Sequence, residues 1–215
     1  SNHALSLDQL LATAYDARID INSDGEHYYA SAREIIEQFA QQPVAWLAGD
    51  LTTEWHISAP VRSENGVEHP HLQARFYIRA YKGFEQIRTS VILENMWTYV
   101  PQPSGFRYSL NISIAGEERY SDANIAHTHH SRWRKVFWWG GDADIAVKHQ
   151  FDYLAYTKAV PNYDRNIRVD YSSINGMQTE FEPMSNVDVN DYMPEAGAQD
   201  GIGPLPRWAV LYLLS

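Results

Sequence analysis

The sequence contains no cysteine, and this absence removes several kinds of chemistry at once. A chain without cysteine forms no disulfide, no cysteine-ligated zinc site and no thiol nucleophile. Positive charge is also scarce, with 17 lysines and arginines against 27 aspartates and glutamates and a formal net charge of −10. Because nucleic-acid backbones are bound through clustered cations, this charge argues against a general nucleic-acid-binding protein.

Long apolar runs and catalytic signatures are missing as well. No apolar run approaches the roughly 20 residues that span a bilayer, so we expect no membrane span. We find no phosphate-binding glycine loop, dinucleotide fingerprint, nucleophile elbow or zinc-protease helix. The sequence therefore predicts no cofactor and leaves the catalytic residues unknown.

Alternation of apolar and polar residues with a period of two dominates the chain. In the clearest run, Leu72 and Phe76 share one face of a strand while Arg75 and Arg79 share the other. Turn residues such as Asp24-Gly25 and Ala115-Gly116 separate these runs, which is typical of an antiparallel barrel or sandwich. We therefore predict a mostly-β fold, an antiparallel β-barrel or sandwich with one or two short helices and an extended C-terminal arm. Alternating runs lie at 15–21, 51–58, 72–80, 87–93 and 106–114, and later strands are expected near 133–139, 144–151 and 153–159.

Composition divides the chain into four expected segments. After about residue 171 the alternation gives way to Asn, Asp, Gly and Pro, which favours an arm or linker. The final segment begins with proline and continues with apolar residues, as a helix often does. The expected segments are an N-terminal strand with short helices, belonging to the β domain (1–44), a β-barrel core (45–170), an extended arm (171–203) and the start of a truncated helical domain (204–215).

Histidine is a candidate for chemistry, because nine histidines occur and two groups are clustered. One group is His69 with His71, and the other is His127 with His129 and His130. On a strand, His127 and His129 would point to the same side, the spacing of a two-histidine metal corner. Because histidine also occurs in β-proteins as a hydrogen-bonded spacer among aromatic rings, we expect no metal and keep this pair as an alternative. Its third ligand would come from Glu54, His56, His69 or His71.

The most unusual segment is 132–141, where three cations alternate with three tryptophans in an acidic chain. Guanidinium groups pair with carboxylates and indole rings stack on sugars, so the segment could form an anion-and-ring site. Cation–π packing between strands is the alternative reading. On a strand Arg132 and Arg134 share one face and Lys135 the other, with Trp133, Phe137 and Trp139 towards the core. The candidate residues for binding a substrate or for docking a neighbouring domain are His129, His130, Arg132, Arg134, Lys135 and Trp138.

A second polar surface is predicted on the strand near 72–80. Its outward residues combine cations with phenol rings, a composition suited to gripping an acidic oligosaccharide. A solvated outer sheet face has the same composition, so both interpretations stay open. The residues are Gln73, Arg75, Tyr77, Arg79 and Tyr81.

Several motifs together resemble a known family. They are Trp46–Gly49, Thr53–Trp55, His69–Leu72, Glu94–Tyr99, His129–Trp139 and Val160–Asp164. The pattern resembles the N-terminal β domain of the exo-rhamnogalacturonan lyase-like proteins, polysaccharide lyase family 26 and its relatives. The resemblance covers roughly residues 45–215, and the segment His129–Trp139 is its most specific part.

The resemblance implies a RIFT-type barrel followed by an α-helical toroid of the same parent chain. It implies β-elimination on a pectin backbone that alternates rhamnose and galacturonic acid, with an acidic polysaccharide and the toroid as partners. Because we expect the acid–base groups mainly on the toroid, this β domain is accessory and not catalytic alone. An extracellular or periplasmic parent is favoured, although composition does not identify the compartment.

Two other functions remain open at this stage. The first is a carbohydrate-binding domain without catalysis, which exposed rings would favour. The second is a structural or assembly domain of a surface or virion protein, which a flat apolar patch without a cationic cleft would favour.

Overall fold

The computed structural model describes residues 4–38, 44–142, 149–177, 181–185 and 205–214. The chain divides into two compact units, residues 1–143 and 144–215. The described part of the first unit contains two short helices, α1 (Leu7–Leu11) and α2 (Ala32–Gln38). Its strands are β1 (Ala17–Ser23), β2 (Glu26–Ser31), β3 (Val44–Ala48), β4 (Thr52–Arg62), β5 (Glu68–Tyr81), β6 (Ile87–Asn95), β7 (Phe106–Ile114), β8 (Glu117–His127) and β9 (Ser131–Trp139).

The strands form one antiparallel sheet in the order β8-β7-β1-β2-β4-β5-β6-β9, with β3 paired to β4 beside this path. The sheet curls into a nearly closed barrel. At the seam, the ring centroid of Tyr120 on β8 lies 5.4 Å from that of Trp133 on β9. Lys135 Nζ lies 4.5 Å from the Tyr120 centroid, so a cation also crosses the seam. The mostly-β prediction is confirmed, as a barrel.

Two hairpins turn through the residues that the sequence indicated. Asp24 and Gly25 join β1 to β2 with φ of 51° and 83°, and Ala115 and Gly116 join β7 to β8 with φ of 50° and 82°. Positive φ at both central residues is what a two-residue hairpin requires, because it matches the twist of the flanking strands. Glycine and aspartate adopt this conformation at low cost.

The two faces of the strands divide as the alternation predicted. The predicted inward side chains Leu72, Phe76, Ile78, Leu110 and Ile112 are at most 1% exposed. The predicted outward side chains Gln73, Arg75 and Arg79 are only half-buried. In β9, Trp133 and Phe137 are buried in the core and Trp139 packs against it, also as predicted.

Strand β9 confirms the strand expected near 133–139, but the strand expected at 153–159 is wrong. That region begins with helix α3 (Phe151–Tyr156). Its backbone bonds are local, because Leu154 N–H donates to the Gln150 carbonyl and Thr157 N–H to that of Tyr153. The strand expected at 144–151 falls mostly on residues 143–148, which lie outside the described residues.

The described part of the second unit contains α3, α4 (Tyr171–Asn175) and α5 (Arg207–Leu214). Arg165 pairs with Asp152, and its guanidinium carbon lies 4.8 Å from the Phe151 ring centroid. Helix α5 begins after Pro206, as the sequence indicated. Among the described helices, none combines the length and apolarity that crossing a bilayer demands.

The observed barrel strands extend from residue 17 to residue 139. This span begins earlier than the core predicted at 45–170, because β1 and β2 belong to the same sheet, and its last described strand, β9, ends at Trp139. Within the arm predicted at 171–203, the first residues form α4, and 178–180 and 186–203 lie outside the described residues.

Candidate functional site: a cationic outer face and a histidine-rich end

The central strands β4, β5, β6 and β9 present one continuous surface away from the core, which we call the outer face. The register between neighbouring strands aligns the side chains of this face in rows. One row crosses all four strands through Glu54, Arg79, Arg88 and Trp138. Directly opposed residues on one face of a sheet lie close enough to interact. The charged members of the outer face are Glu54, Arg75, Arg79, Arg88, Glu94, Arg132 and Arg134.

Glu54 is the first buried carboxylate of the outer face. It is 6% exposed, and its two oxygens have different partners. His56 Nε2 lies 2.8 Å from Oε1, and Arg79 Nε donates to Oε2 at 2.6 Å. Burial alone would raise the pKa of Glu54, but the hydrogen bonds from His56 and Arg79 hold it below its ordinary value. The carboxyl group therefore stays ionised although it is buried.

Glu94 is the second buried carboxylate, with a side chain 4% exposed. Arg75 Nε donates to Oε2 at 2.6 Å. On the other side, Arg132 Nε lies 2.5 Å from Oε1, an ion pair by distance although not a well-aligned hydrogen bond. Both oxygens of one carboxylate are thus engaged by cations from two different strands.

Two arginines of the outer face have no carboxylate partner among the described residues. Arg134 donates to Ser90 Oγ at 3.0 Å, and Arg88 pairs with no described acid. Apart from the Arg62–Glu68 ion pair at one end of β4 and β5, the outer face therefore holds five guanidinium groups against two carboxylates in a chain of net charge −10. Unpaired guanidinium groups are free to bind an anion bidentately.

Aromatic rings lie at two places on this surface. Trp46 on β3 stacks on His56 with centroids 5.3 Å apart, and His56 stacks on Tyr77 at 3.9 Å. Tyr81 stacks on Trp138 at 5.8 Å. Trp46 is 72% exposed, so one flat indole is presented to solvent beside the arginines.

The site residues predicted from the cation-and-tryptophan segment separate in the structure. Arg132, Arg134 and Trp138 lie on the outer face, together with the predicted polar face of β5. Lys135 points the other way, to the barrel seam. His129 and His130 lie in the β8–β9 turn with their rings 3.8 Å apart, and His129 Nε2 is 3.2 Å from the Trp97 carbonyl.

Sequence reasoning missed part of this surface. Arg88 was not singled out, Glu94 was named only within a motif of the resemblance, and neither Glu54 nor His56 was expected to bind an anion or to pair with an arginine. The alternation of β4 and β6 does place these residues outward, so one signal was present. Their partners become visible only once the strand order is known, because Arg132 reaches Glu94 from a strand far away in sequence.

At one end of the barrel, the two histidine clusters of the sequence meet around Phe106. The Phe106 centroid lies 5.3 Å from His69, 5.7 Å from His71 and 6.5 Å from His127. Gly105 permits this packing, because an added Cβ would lie 3.2 Å from the His127 carbonyl oxygen. We call this region the histidine end.

Both ring nitrogens of His127 are engaged. Nδ1 lies 2.8 Å from the Tyr108 hydroxyl and Nε2 lies 3.0 Å from the Ser131 carbonyl. Because a carbonyl only accepts, Nε2 carries the proton, and Nδ1 accepts from Tyr108. Strand β8 ends at His127, so His129 does not continue its face. Among the described residues, no three metal-ligating side chains cluster.

No protein-family model, curated protein or solved structure matches this chain. The resemblance to the lyase-like proteins therefore remains a prediction that rests on the quoted motifs, and the barrel architecture is compatible with it.

Proposed function

We propose that this chain binds an acidic polysaccharide through the outer face of its barrel. In this proposal it is the accessory, RIFT-type β domain of a lyase-like parent that acts by β-elimination on rhamnogalacturonan-type pectin. A helical toroid of the same parent supplies the catalytic groups. The observation that carries the proposal is the excess of guanidinium groups on one face of an acidic chain.

Charge and rings on the outer face support a uronate ligand. Arg88 and Arg134 lie on adjacent strands without described carboxylate partners, so a ligand carboxylate has open donors there. The exposed Trp46 and the Tyr81–Trp138 pair offer flat apolar surfaces of the kind on which sugar rings stack. An uncharged glycan would use the rings but leave the arginines without an anion.

The same geometry supports a role that is not catalytic alone. β-elimination needs a base to remove a proton as well as a cation to neutralise the uronate carboxylate. His56 is a base on this face, but its Nε2 is bonded to Glu54 and its ring lies between Trp46 and Tyr77. The carboxylates of Glu54 and Glu94 are likewise engaged by cations.

Calorimetric titration of the 215-residue chain tests the binding proposal. We expect an oligogalacturonide to bind and a neutral galacto-oligosaccharide of equal length to bind at least tenfold more weakly. Arg88→Ala and Arg134→Ala should each weaken oligogalacturonide binding by roughly tenfold, because a charge-assisted hydrogen bond is lost. Neither change leaves a described carboxylate unpaired, so the fold should survive.

Arg107→Ala is the matched control, since it removes an exposed arginine from β7, outside the outer face. Equal loss in all three variants, or equal binding of both oligosaccharides, would contradict the proposal. The same preparation should release no unsaturated product, measured as absorbance of the new double bond. Activity above a heat-killed control would contradict the accessory role.

A further inference from the structure

A pocket of about 220 Å³ opens at the histidine end of the barrel. It lies among the β1–β2 hairpin, the start of β5 and the start of β7, and therefore apart from the rows that form the outer face. Its size is below the roughly 300–1,000 Å³ of sites for drug-sized ligands, so it suits a single small ring. The residues that the argument uses are Asp24, Glu26, Tyr28, His69, His71 and Phe106.

His69 presents an uncharged donor to this pocket. Its Nδ1 accepts the backbone N–H groups of His71 at 3.1 Å and Leu72 at 3.0 Å. A neutral imidazole that accepts at Nδ1 carries its proton on Nε2. Burial, with a smaller contribution from His71, lowers the pKa of His69 to about 4, so the ring is neutral at pH 7.

Two acids face the same space. Asp24 and Glu26 line the pocket, and neither forms an ion pair with a described residue. Asp24 lines the same pocket as His69, and its charge slightly opposes the lowering of the His69 pKa by burial. His71 contributes a buried Nδ1 that has no hydrogen-bond partner. The pocket is thus lined by two carboxylates and by the neutral imidazole of His69.

Aromatic rings form the apolar part of the wall. Phe106 stacks on His69 with centroids 5.3 Å apart, and Tyr28 meets the same ring edge-on at 4.8 Å. Such rings favour the C–H face of a ligand ring.

We propose that this pocket is a second binding site, for one uncharged ring that carries neighbouring hydroxyl groups, as in a neutral monosaccharide unit. Hydroxyl groups both donate and accept, so they can use the carboxylates of Asp24 and Glu26 and the N–H of His69 together. An anion would be repelled by the two carboxylates. An ammonium group accepts no hydrogen bond, so a cationic ring without hydroxyl groups would leave the His69 donor without an acceptor.

The inference goes beyond the outer face, because it concerns another region and another ligand charge. Titrations with galactose, glucose, galacturonate and cyclohexylammonium compare six-membered rings of charge zero, minus one and plus one, the last without hydroxyl groups. The readout is the side-chain ¹⁵N resonance of His69 Nε2 at pH 7. We expect a neutral hexose to shift this resonance at concentrations up to about 50 mM. This range exceeds the millimolar Kd expected for a single small ring.

Asp24→Asn and Glu26→Gln should each weaken that binding at least threefold, because the amides keep the size and lose the charged acceptor. Asparagine also tolerates the positive φ of residue 24. Arg88→Ala, on the outer face, should leave the titration unchanged. A response to galacturonate or cyclohexylammonium that equals or exceeds the neutral response would overturn the inference, as would the absence of any neutral response. Oligogalacturonide binding should survive both pocket variants, so the two proposals fail separately.

Discussion

The outer face and the histidine end handle buried ionisable groups in opposite ways. On the outer face, Glu54 and Glu94 keep their charges, because arginines from neighbouring strands pair with them. At the histidine end, His69 and His127 are kept neutral by burial, which lowers the pKa of each. A buried group must be paired or neutralised, and one small barrel uses both solutions.

The two solutions follow from position in the sheet. On the outer face, regular register brings opposite charges from different strands into opposition. At the histidine end, strands stop and turn, so rings fill the space and backbone groups supply the hydrogen bonds. His69 Nδ1 and His127 Nε2 both bond to backbone atoms rather than to acids. The outer face therefore carries paired charges, whereas the buried histidines of the histidine end make uncharged polar contacts.

The largest expected effect comes from breaking a pair on the outer face. Glu94→Gln removes the charge that engages both Arg75 and Arg132 at a buried position. We expect the free energy of unfolding to fall by about 3 kcal/mol, the lower end for a broken buried pair, because both arginines reach solvent. Urea denaturation followed by tryptophan fluorescence measures the change.

Glu68→Gln is the matched control, since its ion pair with Arg62 is equally short at 2.6 Å but exposed. It should cost less than about 1 kcal/mol. Equal losses in the two variants would mean that burial of Glu94 does not matter and that the contrast drawn for the outer face is mistaken.

A smaller effect is expected from acidification, and it separates the two regions by pH. The unfolded chain protonates His69 near pH 6.5, whereas the folded chain does so near pH 4. Stability should therefore be highest above pH 6.5 and fall as the pH drops towards 4, since the unfolded state binds more protons in this window. His127 acts in the same direction.

We expect about 2 kcal/mol from His69, less than the full shift implies, because His69 lines an open pocket and its charge would be partly screened by solvent. His69→Asn keeps an acceptor near the backbone N–H groups and cannot protonate, so it should reduce the fall in stability between pH 6.5 and 4.5, leaving the part that His127 contributes. Glu54 has a lowered pKa, so its contribution is lost only below its usual value of 4.5. Denaturation midpoints across pH measure both ranges, and an unchanged slope in the His69→Asn chain would refute the assignment.

The alternation and the turn residues of the sequence predicted the features that depend on residues close in sequence, namely strand faces and hairpins. The alternation around Phe76 and Arg75 predicted both faces of β5, and Asp24-Gly25 and Ala115-Gly116 predicted hairpins. Residues 153–159 failed, because a short run of apolar and aromatic residues fits a helix as well as a strand.

What the pattern did not predict depends on strand order. Pairing of β6 with β9 places Arg132 against Glu94, and no local feature of either segment indicates this contact. Likewise, His69 and His127 were expected in two separate clusters, and the path of β7 brings Phe106 between them. The site residues suggested by the sequence stay a prediction until ligand binding is measured.

The smallest expected effect concerns Lys135, a candidate binding residue that belongs to neither region. It lies on the core side of β9 with Nζ over the ring of Tyr120, so it joins the two strands at the barrel seam. A double-mutant cycle with Lys135→Met and Tyr120→Leu should give a coupling energy of about 0.5–1 kcal/mol, the range for a partly exposed cation–π contact. Methionine keeps much of the apolar stem of lysine, so the change chiefly removes the charge.

The ligand readout decides whether Lys135 is a seam residue or a site residue. If it serves the seam, oligogalacturonide affinity should stay within about twofold of the unchanged chain in Lys135→Met, whereas Arg134→Ala, one residue away, loses about tenfold. The two side chains point to opposite faces of β9, so neighbours in sequence should differ in function. A loss of affinity in Lys135→Met as large as that in Arg134→Ala, without coupling to Tyr120, would place the anion site at the seam instead of on the outer face.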